Sequence, residues 1–438
     1  METLRKMQKR QVLPRRLALW IFLLSFSVRM VMMVVLAPYR QPTRSEVQRI
    51  PISLITNHTF GNPFPVPTGP TTHYTPLYPL ILAAIFKLFG TGPAGDIAQY
   101  VFNTICSSAM YAALPFFAVR VGLPMQTGLI GGLIGALLPL NFMQEIGGGD
   151  MFLTADLMLA FTVVLLGAIQ GELRLARAAC AGVILGLGAL TNPAILPPAV
   201  GLLALVGCKN LNRPMQVARF AVTTGAICFL FLLPWAARNQ HVFGTPILLR
   251  GNLGMELQVS NNDIAVPRFS DNPYPAAMDL YHPFRNPKEA QKVRVLGEVA
   301  YNREKLAEYT LWVKQHTRRF WQLIGSRFIL FWMPVTHRVF QTAAFFALSL
   351  AAFLGFGLLW RANRLLFWII ASVWLTYPDI YYLVQSWSRY RLPIQWSFLL
   401  CAAVLVAEVI RRAEKYTLIS RIGRSRRGAC QASGILGL

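Results

Sequence analysis

Apolar runs long enough to cross a bilayer recur along this chain and limit what it can become. They cover residues 17–37, 97–118, 124–142, 152–170, 217–235, 339–360, 365–384 and 392–410; a further stretch, 178–207, is broken at Thr191-Asn192-Pro193. A helix needs about 20 apolar residues to span hydrocarbon, and in lipid its backbone amides must be paired within the segment. Only 14% of the 438 residues are charged, against about a quarter in a soluble protein. The expected class is an all-α polytopic membrane protein.

The formal charge of +24 is high enough to raise nucleic acid as a partner. Its distribution excludes that, because Lys and Arg gather in tails and short connectors, as positive-inside sorting predicts. No aromatic-interleaved basic domain accompanies them. The N-terminal stretch METLRKMQKRQVLPRRLALW resembles a signal-peptide start. The apolar run that follows is too long for one and lacks a small-x-small cleavage site, so it reads as an uncleaved first span.

Basic connectors mark one side of the membrane: Arg120, Arg174 with Arg177, Lys209 to Arg219, Arg361 with Arg364, and the tail from Arg411. Two crossings already separate the N-terminal tail from Arg120. A third, by the apolar segment 76–90, would send the later basic connectors outside. That segment is therefore expected to lie on the outer surface. Proline disfavours helix at the residue before it, so 178–207 is expected to be a hairpin of two short helices. The expected result is about ten transmembrane helices in a single domain, 1–410, followed by a basic cytoplasmic tail, 411–438. The outer loops are 38–93 and 236–338; the second is long enough to escape the charge rule.

All six histidines (58, 73, 241, 282, 316, 337) and nine of the eighteen acidic residues fall in these two loops. Chemistry is thus expected at the outer water–lipid boundary. The six cysteines are scattered, without metal-type or C-x-x-C spacing.

Four constellations stand out. Glu46, after the capping residue Ser45, sits just beyond the first span. It reads as a general base at a partly dry interface, or as a first-turn acid paired with the helix dipole, Arg44 or Arg49. Arg238 at an outer membrane edge suits a phosphate, or snorkels to headgroups; Asn239, Asn261 and Asn262 could bind sugar hydroxyls or make turns. Arg389 and Arg391 in a short outer loop run against the charge bias, as residues holding an anionic group or lipid headgroups would. Glu145, Asp150 and Asp156 cluster where a span begins, and an acid within a span is by default a site hypothesis. A nucleotide-binding Gly-rich loop, H-E-x-x-H, G-x-S-x-G and D-x-D are all absent from the sequence.

Taken together, Glu46 followed by Arg49, then GPTTHYTPLYPLILAAIFKLFG, LTNPAILPP, PWAARNQHVFG, RRFWQLIGSRFILFW and SRYRLPI, in that order, resemble a known family. It is the membrane glycosyltransferases of the C-type (GT-C) fold that use polyprenyl-phosphate sugars. The bacterial branch related to protein O-mannosyltransferases and the aminoarabinose transferase of lipid A is most similar. The resemblance runs from residue 17 to about 410 and implies juxtamembrane helices lying on the surface in the first outer loop.

Carried over, the family's first-loop acid falls at Glu46, although many relatives have Asp-Glu where this chain has Ser45-Glu46. Where many relatives have Lys this chain has Thr75, so His73, Tyr74 and Tyr78 are the donor-binding residues the resemblance offers there. The second-loop acid matches Asp156 or Asp150, and the late Arg-Tyr-Arg matches Arg389, Tyr390 and Arg391. The implied reaction is a single in-line displacement with inversion at the anomeric carbon. The donor is a polyprenyl-phosphate sugar, the acceptor a lipid, glycan or protein, and the site faces the periplasm or exterior from the plasma (inner) membrane. Membrane lipids are the surrounding partners. The resemblance dictates no cofactor and leaves a divalent metal open, with no committed metal cage in the sequence. The competing classes are a polyprenyl-linked glycan flippase and a non-catalytic assembly protein.

Overall fold

The computed structural model describes residues 2–40, 44–147, 149–268 and 276–434, with side chains described between 15 and 415 except at 41–43, 148 and 269–276. The expected basic tail, 411–438, lies outside the described side chains from residue 416 onward. Among the described residues regular structure is helical, apart from the isolated bridges Gly61–Pro70 and Arg268–Ser386. In chain order the helices begin with α1 (Glu2–Leu36), α2 (Glu46–Asn57), α3 (Leu77–Phe89), α4 (Pro93–Arg120), α5 (Met125–Leu137) and α6 (Phe142–Gly147). There follow α7 (Met151–Ile169), α8 (Leu175–Thr191), α9 (Leu196–Lys209) and α10 (Pro214–Phe243). The long segment after α10 holds α11 (Leu253–Ser260), α12 (Ala276–Tyr281), α13 (Pro287–Leu296), α14 (Glu298–Gln315) and α15 (Thr317–Trp332). The chain closes with α16 (Val339–Ala362), α17 (Arg364–Thr376), α18 (Asp379–Leu383) and α19 (Gln395–Gly434).

Six of these, α1, α4, α7, α10, α16 and α19, contain stretches long and apolar enough to cross a membrane. The other four expected spans are shorter helices, α5, α8, α9 and α17. Boundaries moved where proline intervenes. The run 124–142 stops at Leu137, ahead of Pro139, and 365–384 stops at Thr376, ahead of Pro378. The Asn192-Pro193 break appears as expected: α8 ends at Thr191, and a 3-10 turn, Pro193–Ile195, leads into α9.

The 13-residue helix α3 is the same length as α5 and α17, so its length alone does not set it apart from them. It pairs with the amphipathic α2, and both are fastened to the start of α4 by a polar ladder. Arg44, just before α2, pairs with Asp96. Gln48 Nε2 donates to Gln99 Oε1 at 2.9 Å, and Tyr78 of α3 donates to Asn103 Oδ1 at 3.0 Å. Asp96, Gln99 and Asn103 follow i, i+3, i+7 spacing, so they share one face of α4. This ladder orients Glu46. Arg120 ends the same helix 24 positions beyond Asp96, about 36 Å away along the axis, so Glu46 and the basic connectors lie on opposite sides of the bundle.

Within the bundle, Arg29 of α1 pairs with Glu145 at 2.8 Å and donates to the carbonyls of Gly135 and Ala136 at 3.1 Å. Its Nη1 also reaches Ser25 Oγ at 2.9 Å. The pair satisfies itself and ties α1, α5 and α6 together. Small residues let other helices approach closely. A Cβ on Gly355 of α16 would lie 1.8 Å from the Cys401 carbonyl oxygen of α19, and one on Gly182 of α8 would lie 2.7 Å from the Thr224 oxygen of α10. Overpacking of this kind costs about 1–3 kcal/mol. Gly355→Ala is therefore expected to lower the thermal midpoint of the detergent-solubilised protein by several degrees; an unchanged midpoint would contradict the α16–α19 contact.

Candidate functional site

Glu46 is the first residue of α2, and Ser45 N–H donates to Gln48 Oε1 at 3.1 Å, which fixes the start of the helix. Its side chain is 18% exposed and faces two imidazoles. His73 Nε2 lies 3.2 Å from Oε2, and His282 Nε2 lies 3.5 Å from Oε1. Both rings are buried, and Phe64 packs edge-on against each. The two imidazoles come from the two separate segments 38–93 and 236–338.

His282 Nδ1 accepts the Phe284 backbone N–H at 3.1 Å. In the neutral ring the proton therefore resides on Nε2, the nitrogen 3.5 Å from Glu46 Oε1. A nitrogen in that state donates and cannot ligate a metal. Among the described residues no group of three or more His, Cys, Asp or Glu is placed to hold a metal ion.

The electrostatics follow from this clamp. Burial alone would raise the Glu46 carboxyl, but His73, then His282 and Arg250, outweigh it and hold it at about 2. Burial pulls His73 down, yet Glu46 raises it above the usual imidazole value. His282 is lowered, since burial there exceeds the opposing effect of Glu46. The result is a carboxylate that stays charged and a second imidazole that stays neutral near pH 7.

Beside Glu46, Tyr74 joins the carboxylate to two arginines. The Arg250 guanidinium lies 4.4 Å from the Tyr74 ring centroid and its Nε donates to the His73 carbonyl at 2.8 Å. Arg389 stacks on Trp387 at 3.9 Å and acts electrostatically on Tyr74, Tyr390 and Asp150. Asp150 is buried before α7, where Arg250, Arg389 and Asn192 favour its charged form; burial nevertheless raises its carboxyl above the normal range. Glu256 of α11 acts on His73, His282 and Tyr390. Tyr390 stacks on Tyr381 with ring centroids 4.4 Å apart.

Of the sequence-selected residues, the structure thus brings together Glu46, His73, Tyr74, Asp150, Arg389 and Tyr390. The remainder stand elsewhere. Asp156 is six positions further along α7, on the side of Cys106 and Tyr111. Tyr78 is absorbed in the ladder on α4. Arg238 donates to the Thr71 and Phe60 carbonyls at 3.0 and 2.9 Å and to Asn239 Oδ1 at 2.8 Å, while Asn239 Nδ2 donates to the Ile247 carbonyl at 2.6 Å. Asn261 donates to the Leu257 and Leu383 carbonyls at 2.7 and 2.9 Å and accepts from Arg327 at 2.9 Å. Asn262 donates to the Gln258 and Val259 carbonyls at 3.0 Å. Arg391 turns inward, donating to Ser349 Oγ at 2.8 Å and the Trp332 carbonyl at 3.1 Å beneath the Phe398 ring.

Arg250, Glu256, His282 and Asn192 were not singled out from the sequence. His282 carried one signal, its place among histidines confined to the outer loops; Arg250 and Glu256 lay in the quoted segment after α10 without distinguishing context.

The chain superposes on the archaeal oligosaccharyltransferase AglB from Archaeoglobus fulgidus, solved in complex with an inhibitory peptide and a dolichol-phosphate, with a TM-score of 0.51 at 14% identity. That match covers 94% of this chain and 52% of the archaeal one. The apo form of the Archaeoglobus fulgidus oligosaccharyltransferase gives a TM-score of 0.50 at 14% identity, covering 93% and 52%. The fold is GT-C-like. This GT-C-like chain spans about half the length of those solved structures. No protein-family model matches it, nor does any curated protein.

Proposed function

We propose that the chain is an integral membrane glycosyltransferase. It moves a sugar from a polyprenyl-phosphate carrier to a hydroxyl or amine of a lipid, glycan or protein acceptor, with inversion, on the outer face of the plasma (inner) membrane. The observation that carries this reading is the cluster in which Glu46, Arg250 and Arg389 all act on the buried Tyr74. The archaeal neighbour's dolichol-phosphate supports a lipid phosphate as the donor group. The outer assignment follows from the basic connectors at the far ends of the spans.

Chemically, the acceptor heteroatom forms a bond to the anomeric carbon as the bond from that carbon to the carrier phosphate oxygen breaks. The electron pair leaves with the phosphate, and Arg389 and Arg250 offset its growing charge through charge-assisted hydrogen bonds. The acceptor proton passes to Glu46. A carboxylate near 2 is a weak base, so it takes the proton late, once the attacking atom bears positive charge and has become strongly acidic. His73 and His282 keep Glu46 ionised and aimed, which gives the two imidazoles a role without direct proton transfer. Asp150, between Asn192 and the arginines, orients the cationic pair. Both substrates bound at one interface supply the proximity contribution.

Incubation of the purified protein with a panel of polyprenyl-phosphate sugars and membrane acceptors tests this, with released polyprenyl phosphate as the readout. Release that depends on one sugar and on an acceptor is expected. Intact donors throughout, with donor translocated between leaflets of proteoliposomes instead, would favour the flippase.

A further inference from the structure

The turn Thr71-Thr72-His73 carries one of the two imidazoles on Glu46, and the second outer loop grips it at nearly every polar atom. Glu298, the first residue of α14 and 8% exposed, accepts from the Thr71 and Thr72 hydroxyls and, at 2.7 Å, from the Thr72 backbone N–H. Three successive carbonyls of the turn are engaged as well. Thr71 O accepts from Arg238 at 3.0 Å, Thr72 O from the Gly251 N–H at 3.0 Å, and His73 O from Arg250 at 2.8 Å. The turn has no helix of its own and is separated from Glu298 by 226 residues of sequence. Its shape is imposed from outside.

We propose that Glu298 is a positioning residue: by clamping Thr71 and Thr72 it keeps His73 Nε2 on the Glu46 carboxylate. Its part in catalysis rests on the glycosyltransferase reading above; its effect on Glu46 does not. A buried carboxylate serving as triple acceptor is strongly held, and its removal leaves the Thr72 N–H and both hydroxyl protons without an acceptor, with Thr71 Oγ1 keeping only the His73 N–H it accepts at 3.0 Å. The turn then shifts, and His73 moves off Glu46. The charged groups that face Glu46 are His73 from the turn, His282 after α12 and Arg250 before α11, with Tyr74 beside it and Glu256 of α11 beyond the imidazoles. Loss of the first of these leaves burial less opposed, and the carboxyl rises.

A water-soluble carbodiimide with an amine trap modifies protonated carboxyls, so adduct at Glu46, measured by mass spectrometry of the full chain in detergent at pH 5, reads this without any transfer assay. Wild-type protein is expected to show almost none, because Glu46 is held at about 2. His73→Asn, Glu298→Ala and the milder Thr72→Val are each expected to raise the adduct about tenfold or more, with adduct at the exposed Glu304 unchanged. Should Glu298→Ala fail to fold, Thr72→Val decides. Wild-type adduct levels in Glu298→Ala or Thr72→Val, beside elevated levels in His73→Asn, would overturn the proposal, as would wild-type levels in His73→Asn itself. Failure of the transferase reading would appear separately, as absent transfer by wild-type protein with this labelling pattern intact.

Discussion

Glu46→Gln is expected to reduce sugar transfer by about 10²–10⁴-fold, the usual contribution of a positioned base, while donor binding stays near the wild-type level. The amide is close in size to the carboxylate but cannot accept the acceptor's proton. The substitution also leaves the anchoring of α2 intact, because Arg44–Asp96 and Gln48–Gln99 do not involve Glu46. Loss of turnover would therefore occur in a folded protein, checked by an unchanged thermal midpoint and by retained binding of a polyprenyl-phosphate sugar. Turnover within about fivefold of wild type would remove Glu46 from the proton transfer, since even the weakest positioned bases contribute more than that.

Arg389→Ala should lower transfer by about 10²–10³-fold, the typical loss on deleting one group aimed at developing negative charge, and should weaken donor binding as well. Arg389 stacks on Trp387 and also acts on Tyr390 and Asp150, but its Nε has no hydrogen-bond partner among the described residues, which leaves donor capacity for an incoming anion. Arg389→Lys should recover only part of the loss, since an ammonium keeps the charge and loses the planar fork. Arg238→Ala is the informative contrast. It removes hydrogen bonds to Thr71 and Phe60, so it should loosen the turn that carries His73 while leaving donor affinity near the wild-type level. Donor affinity unchanged in Arg389→Ala would exclude that residue from the phosphate site.

The fold was readable because a bilayer allows few solutions. Span lengths and the proline rule sufficed to break 178–207 at Asn192-Pro193. The candidate site was readable only where it adjoins those constraints. Glu46 follows the first span directly, and Asp150 precedes α7 directly, so a position relative to the membrane located both. Asp156, six residues later, is a further 240° around the helix and about 9 Å deeper, a difference that its residue type does not reveal. Arg389 and Arg391 are two residues apart in a 3-10 turn, which at three residues per turn points them in different directions. Arg238 and Arg250 follow the same span, and only tertiary contacts decide that the first binds backbone carbonyls while the second borders Glu46. Arg250, Glu256, His282 and Glu298 belong to a long loop whose helices lack a membrane to set their register. Their convergence on His73 and Glu46 comes from packing across more than 170 residues of chain.

A structure of the full chain bound to a polyprenyl phosphate in a lipid nanodisc would test the central arrangement most directly. Phosphate density between Arg250 and Arg389, within a sugar's width of Glu46 and on the side opposite Arg120, is expected. Phosphate lodged among the basic connectors near Arg120 and Arg361, or at Arg391 with Arg250 and Arg389 untouched, would contradict it.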